Sequence, residues 1–305
     1  MKRAICVGIN NYPGTVNDLS GCVNDVNDWA KLLNSFGFQT TKIFNEQATK
    51  NNILNALENL VKEAKLGDVV VFTYSGHGTQ VLDTSGDEED GYDEALYVYD
   101  GTLIDDEINA ILKTADKNAE IIVIADSCFS GTVTKALALK AAKRRFVKTD
   151  TIPPTAVLKN RFLAKATEEN MLEILISGCS DKEYSYDAFI NGRWNGAMTA
   201  FATSIIKPEQ TYNEFYSKLR EKLPSEEYPQ TPQLEGSEAN KNKLVFTEKT
   251  DSGAGSCETG GGTDTGTGTG SGDGVTGSSG CLSMLLVHIS VISVVLLILQ
   301  VIIPH

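Results

Sequence analysis

Two short strings hold the residue types that thiol-dependent hydrolysis needs: Tyr74-Ser75-Gly76-His77-Gly78 and Asp126-Ser127-Cys128-Phe129-Ser130-Gly131. A cysteine attacks as its thiolate, and an imidazole both draws off the thiol proton and returns it to a leaving group. Elimination pairs the two strings. Of the three histidines, His288 lies inside an apolar C-terminal run and His305 ends the chain, so Cys–His chemistry elsewhere must use His77. Of the six cysteines, Cys6 sits in a strand-like run and Cys257 and Cys281 belong to the tail. Cys22, Cys128 and Cys179 remain, and only Cys128 has the strand–Cys–small–Gly context that exposes a thiol at a sharp turn.

The elements that must position these groups are legible in the apolar pattern. Val69-Val70-Val71-Phe72 precedes the histidine string and Ile121-Ile122-Val123-Ile124 precedes the cysteine string. Continuous β-branched runs of this kind read as buried strands of a parallel sheet. Both groups then sit just past carboxyl strand ends, where open α/β sheets carry their reactive residues. Strands are also expected at Ala4–Ile9, Thr40–Phe44, Glu120–Ala125 and Met171–Ser177, with an edge strand at Leu244–Phe246. Helices are expected at 24–36, 49–64, 105–115, 196–206 and 212–223. The alternating order implies an α/β fold whose mostly parallel sheet is covered on both faces.

Composition narrows the classes. The net charge of −13 argues against nucleic acid as a partner. Cysteines without paired local spacing do not form a disulfide framework, and no Cys-x-x-Cys or second histidine supports zinc. Charge is uneven: Asp83 to Glu107 holds eleven acids and no Lys or Arg, whereas Lys135 to Lys165 holds nine basic residues and one acid. Residues 249–280 are rich in Gly, Ser and Thr and read as a flexible linker. Residues 281–303 carry no Asp, Glu, Lys or Arg, enough to span a bilayer as one helix. A span there, without an N-terminal leader, is expected to make a single-pass tail-anchored membrane protein with its soluble part monomeric and facing the cytosol.

Taken together, the chain resembles the metacaspase branch of the caspase-like cysteine peptidases. The resemblance runs through Gly8-Ile9-Asn10-Asn11-Tyr12, Leu19-Ser20-Gly21-Cys22-Val23-Asn24-Asp25, the two opening strings, Gly86-Asp87-Glu88-Glu89-Asp90-Gly91-Tyr92-Asp93-Glu94, Ile176-Ser177-Gly178-Cys179 and Gln230-Thr231-Pro232-Gln233-Leu234. It implies a caspase-like fold over residues 1–248: a large-subunit-like part (1–134), a basic linker (135–165) and a small-subunit-like part (166–248). With neither the Pro/Gln-rich prodomain or zinc finger of many type I members nor the long inter-subunit insertion of type II in this sequence, the expected class is type I-like without a prodomain. The implied mechanism is a dyad in which Cys128 attacks a peptide carbonyl, His77 handles the proton, and the amides of Gly78 and Cys128 hold the oxyanion.

Residues two apart in an extended segment share a side. Asp126 therefore flanks Cys128 and Ser75 flanks His77, and the resemblance adds Cys22 and Asp25 to the same pocket. An acidic pocket implies cleavage after Arg or Lys of polypeptide substrates. The basic linker then offers self-cleavage candidates at Lys140, Lys143, Arg144, Arg145 and Lys148. The resemblance also implies calcium, with Asp93, Asp105 and Asp106 matching three expected ligands; the fourth falls near Thr134 or Lys135, where no acid stands. The main rival is a non-catalytic, membrane-tethered caspase-like scaffold; a legumain-like or separase-like hydrolase is a second.

Overall fold

A computed structural model of the chain describes residues 1–82, 92–128, 142–148, 168–180 and 183–248. The expected linker at 249–280 and the apolar segment at 281–303 lie outside these residues. Among the described residues no helix is long and apolar enough to cross a membrane.

The first part alternates strand and helix: β1 (Lys2–Gly8), α1 (Cys22–Ser35), β2 (Gln39–Phe44), α2 (Lys50–Lys62) and β3 (Val69–Ser75). A hairpin-like group follows, β4 (His77–Leu82), β5 (Tyr92–Val98) and β6 (Gly101–Ile104), then α3 (Asp105–Leu112) and β7 (Glu120–Asp126). The remainder holds β8 (Ala142–Arg144), β9 (Glu173–Ser177), β10 (Tyr186–Ile190), β11 (Arg193–Gly196), α4 (Ala197–Ile205), α5 (Tyr212–Arg220) and β12 (Gln233–Glu235).

Six strands form the central sheet in the order β12-β9-β7-β3-β1-β2, parallel except for the antiparallel edge strand β12. All seven residues of β3 and of β7 are buried, as the continuous apolar runs require of strands covered on both faces. Alternation splits the core into two layers. Val69, Val71, Ile122 and Ile124 pack with Val26 and Trp29 of α1, Met198 of α4 and Phe215 of α5. Val70, Phe72, Ile121 and Val123 pack on the other face with Ile53 and Leu57 of α2 and Ile108 of α3. Local chemistry starts the helices: the Thr49 side chain accepts from the Asn52 amide ahead of α2, and Thr211 and Glu214 form a reciprocal capping box on α5.

The register of β3 on β7 fixes the site. Ser75 pairs with Asp126, so His77 and Cys128, each two residues further on, leave the sheet at one level. They do so from adjacent strands at the carboxyl end of the sheet, next to the point between β3 and β1 where the strand order reverses.

One expectation is corrected. Leu244–Phe246 is not the edge strand: Leu244 makes only an isolated bridge to Thr211, and Phe246 sits at φ +54°, a conformation that cannot continue a strand. The edge is Gln233–Glu235, pairing with Leu175–Ser177. Within the expected basic linker, residues 142–148 are described. Its segment 142–144 is a strand paired antiparallel to β10, in a second small sheet ordered β11-β10-β8.

Candidate active site

His77 starts β4, where its backbone N–H donates to the Tyr12 hydroxyl at 2.9 Å. Its Nε2–H donates to the Asn17 carbonyl at 2.7 Å. A carbonyl can only accept, so this bond fixes the tautomer and leaves Nδ1 with a free lone pair. Nδ1 is buried without a hydrogen-bond partner among the described residues. Burial, with the nearby Lys143 and Arg145 charges assisting against the Asn17 bond, pushes the imidazole down to about 4. The ring is therefore neutral at physiological pH and able to take a proton.

Cys128 follows β7 and is fully buried. Its Sγ accepts from the Ser185 amide at 2.5 Å and lies 3.3 Å from the Ser185 carbonyl. The other two candidate thiols are held protonated: burial pushes Cys22 well up, and a hydrogen bond with Cys128 together with burial does the same to Cys179.

The site is filled by the chain's own residue. The carbonyl oxygen of Arg145 accepts from the Gly78 amide at 2.9 Å and from the Cys128 amide at 3.3 Å. Two N–H groups converging on one carbonyl oxygen are the arrangement that stabilises a developing oxyanion. Gly78 must lack a side chain, because a Cβ there would stand 1.9 Å from the Cys128 carbonyl oxygen. Beyond Arg145, Phe146 bridges Gly78 and the Val147 amide donates to the Gly78 carbonyl at 3.0 Å.

The Arg145 guanidinium lies completely buried among three carboxylates. Nη2 donates to Asp25 at 2.7 Å and to Asp187 at 3.0 Å, and Nη1 sits 3.5 Å from Asp126 and 3.0 Å from its carbonyl oxygen. Each acid is fixed by further donors. Asp25, in the first turn of α1, accepts from Asn195 and the Gly196 amide; Asp126 accepts from Ser185 and, through its other oxygen, from the Thr199 amide and hydroxyl; Asp187 accepts from the Ser20 and Gly21 amides. Gly196 floors the pocket, since a Cβ there would come within 2.1 Å of Asp126 and 2.4 Å of the guanidinium.

Three carboxylates facing one cation leave negative charge in excess, which raises the proton affinity of Asp25. Burial first, then Asp126, raises Asp25 to about 6 against the pull of Arg145. Asp25 thus gains charge as pH rises through that value. For peptides with Arg at the cleaved position, KM is expected to fall several-fold as pH rises from about 6 upward, because a guanidinium in the pocket holds Asp25 lower than the pocket without one does, with no such fall for the uncharged citrulline analogue. Steady-state kinetics on the paired peptides measures it.

Of the residues picked out in the sequence, the structure brings together His77, Gly78, Cys128, Asp25 and Asp126. Ser75 is buried on β3 beside Asp126, and Cys22 is buried at the start of α1. Arg145, one of the five self-cleavage candidates, is fully buried in the site, where three acids receive its guanidinium and two amides its carbonyl oxygen. Lys143, Arg144 and Lys148 are exposed, and Lys140 lies outside the described residues. Asp93 is buried on β5, while Asp105 and Asp106 open α3. Among the described residues no three His, Cys, Asp or Glu side chains group to hold a metal ion.

Asp187 and Ser185 escaped sequence reading. The available signal was an acid between Tyr186 and Ala188, in an apolar stretch where an unpaired carboxylate has no reason to be buried.

Comparison with known proteins agrees with this geometry. Residues 2–137 match the family described as metacaspase, peptidase C14 domain. A protein named Metacaspase-1 from Emericella nidulans is 34% identical over 297 aligned positions, covering 80% of this chain and 72% of the relative. Metacaspase-1 of Scheffersomyces stipitis is 31% identical, covering 80% and 73%. Among solved structures, a Geobacter sulfurreducens protein superposes with a TM-score of 0.63 at 26% identity, over 81% of this chain and 99% of that one. Caspase-1 of Spodoptera frugiperda superposes with a TM-score of 0.51 at 11% identity over 77% and 86%, a likeness of fold.

Proposed function

The chain belongs to the metacaspase family of cysteine peptidases, and from that premise we propose that it is an endopeptidase cleaving after Arg or Lys, with its own Arg145–Phe146 bond as its first substrate. One observation carries the reading: Arg145 occupies an acidic pocket while its carbonyl oxygen takes both the Gly78 and the Cys128 amides. A peptide bond held in this way is a substrate in place.

The reaction follows from the groups present. His77 Nδ1 takes the Cys128 thiol proton, and the thiolate sulfur bonds to the Arg145 carbonyl carbon. The oxyanion is held by the two amides; losing one such donor typically costs about 3–4 kcal/mol in the barrier. The C–N bond to Phe146 breaks as the imidazolium returns its proton to the departing amine. Water then hydrolyses the thioester, releasing the Arg145 carboxylate and restoring the thiol. Calcium enters no step here, and the chelator arm below measures its contribution. Residues 281–303 are proposed as a membrane tether, which leaves this chemistry unchanged.

The test compares otherwise identical fluorogenic peptides ending in Arg, Lys or Asp, with chelator and with millimolar calcium. Hydrolysis of the Arg and Lys peptides with the Asp peptide uncut is expected, since burying a carboxylate against three others is prohibitive. Preference for Asp would refute the pocket assignment, and hydrolysis of none would favour the scaffold.

A further inference from the structure

The strand that carries Arg145 into the site also touches two surfaces that the choice of cleaved residue does not need. β8 runs antiparallel to β10 with Arg144 opposite Tyr186 and Lys143 opposite Asp187. The Arg144 guanidinium carbon lies 4.3 Å over the ring centroid of Tyr184, well inside the distance at which an aromatic face attracts a cation. Tyr184 is itself 9% exposed and stands next to Phe146, with ring centroids 6.3 Å apart, so its ring is held in place. Lys143 reaches the other wall. Its ammonium donates to the Asp18 carbonyl and lies 3.5 Å from the Val16 carbonyl. Those two carbonyls flank Asn17, whose own carbonyl holds His77.

We propose that the site reads three consecutive residues, taking Arg before the cleaved residue by stacking on Tyr184 and Lys before that on the Val16 and Asp18 carbonyls, so that its preferred substrates are polypeptides with runs of basic residues. The inference rests on the reading of Arg145 as a bound substrate residue. A guanidinium suits the first position because it is planar and stacks; an ammonium suits the second because it is a compact donor for converging carbonyls. A lysine in that second position also braces the loop that orients His77, so its loss is expected to lower kcat as well as raise KM.

Four peptides ending in Arg test it on the full-length protein: Lys-Arg-Arg, Lys-Ala-Arg, Ala-Arg-Arg and Ala-Ala-Arg. Arg over Ala at the middle position is expected to gain roughly 3- to 30-fold in kcat/KM. Lys over Ala at the amino-terminal residue of the peptide is expected to gain roughly 2- to 5-fold, because the Lys143 ammonium is exposed. The middle-position ratio is expected to persist in Tyr184→Phe and to approach one in Tyr184→Leu. A ratio of two peptides does not depend on how much of a variant folds, and the wild-type and Tyr184→Phe ratios stand if Tyr184→Leu does not fold at all. Equal hydrolysis of all four by the wild type overturns this inference alone. Failure to cut any of them overturns the basic-specific peptidase with it.

Discussion

Cys128→Ala is expected to abolish hydrolysis of Arg-ending peptides, with kcat falling by about 10³-fold or more, because removing a nucleophile leaves only binding and oxyanion contributions. The fold should survive. Cys128 is buried, and loss of one sulfur costs roughly 1–2 kcal/mol of packing. The Arg145 carbonyl still accepts from the two backbone amides, which the substitution leaves in place. Residual hydrolysis at the wild-type rate would assign the nucleophile elsewhere. Cys22 and Cys179 are the thiols to examine then, although both are held protonated by their surroundings.

Asp126→Asn is the second large effect. The carboxylate lies against the buried guanidinium and accepts from the Thr199 amide and hydroxyl at 2.9 and 2.7 Å. An amide in its place loses the charge and turns a donor toward a donor. Removing one partner of a buried ion pair costs about 3–5 kcal/mol, so the ratio of kcat/KM for Arg over citrulline at the cleaved position should fall by about two to three orders of magnitude. Part of the charge returns, because Asp126 is one of the groups that raises Asp25. With it gone, Asp25 ionises more readily, and the single variant should keep more Arg preference than Asp25→Asn/Asp126→Asn. Paired kinetics on the two peptides reads the ratio without reference to the folded fraction. An unchanged ratio would mean that Asp126 supports the fold and not the choice of substrate.

The parts legible in the sequence are those written locally. Apolar runs ending in Gly-flanked His77 and in Asp126-Ser127-Cys128 declare two strand ends, and the period-two rule placed Asp126 beside the nucleophile. The resemblance placed Asp25, which no local pattern separates from an ordinary acid in a helix's first turn. Asp187 stayed hidden because β10 reaches the site only by pairing with β8 and β11 and by offering its carboxylate to Ser20 and Gly21, more than 160 residues away in the chain. The burial of Arg145 was hidden for the same reason. A run of Lys and Arg is ordinarily a solvated face, and burial became favourable only because Asp25, Asp126 and Asp187 converge from three separate segments. The three-stranded group β4-β5-β6 was missed because an acid-rich sequence between β4 and β5 masks the alternation of Tyr92–Val98, where Asp93, Ala95, Leu96 and Val98 are buried.

The most direct measurement is N-terminal sequencing and intact mass of the full-length protein after incubation, for wild type and Cys128→Ala in parallel. The account predicts a wild-type fragment beginning at Phe146 and an intact Cys128→Ala chain. A fragment beginning anywhere else, an uncut wild type, or equal cutting of both proteins would contradict it.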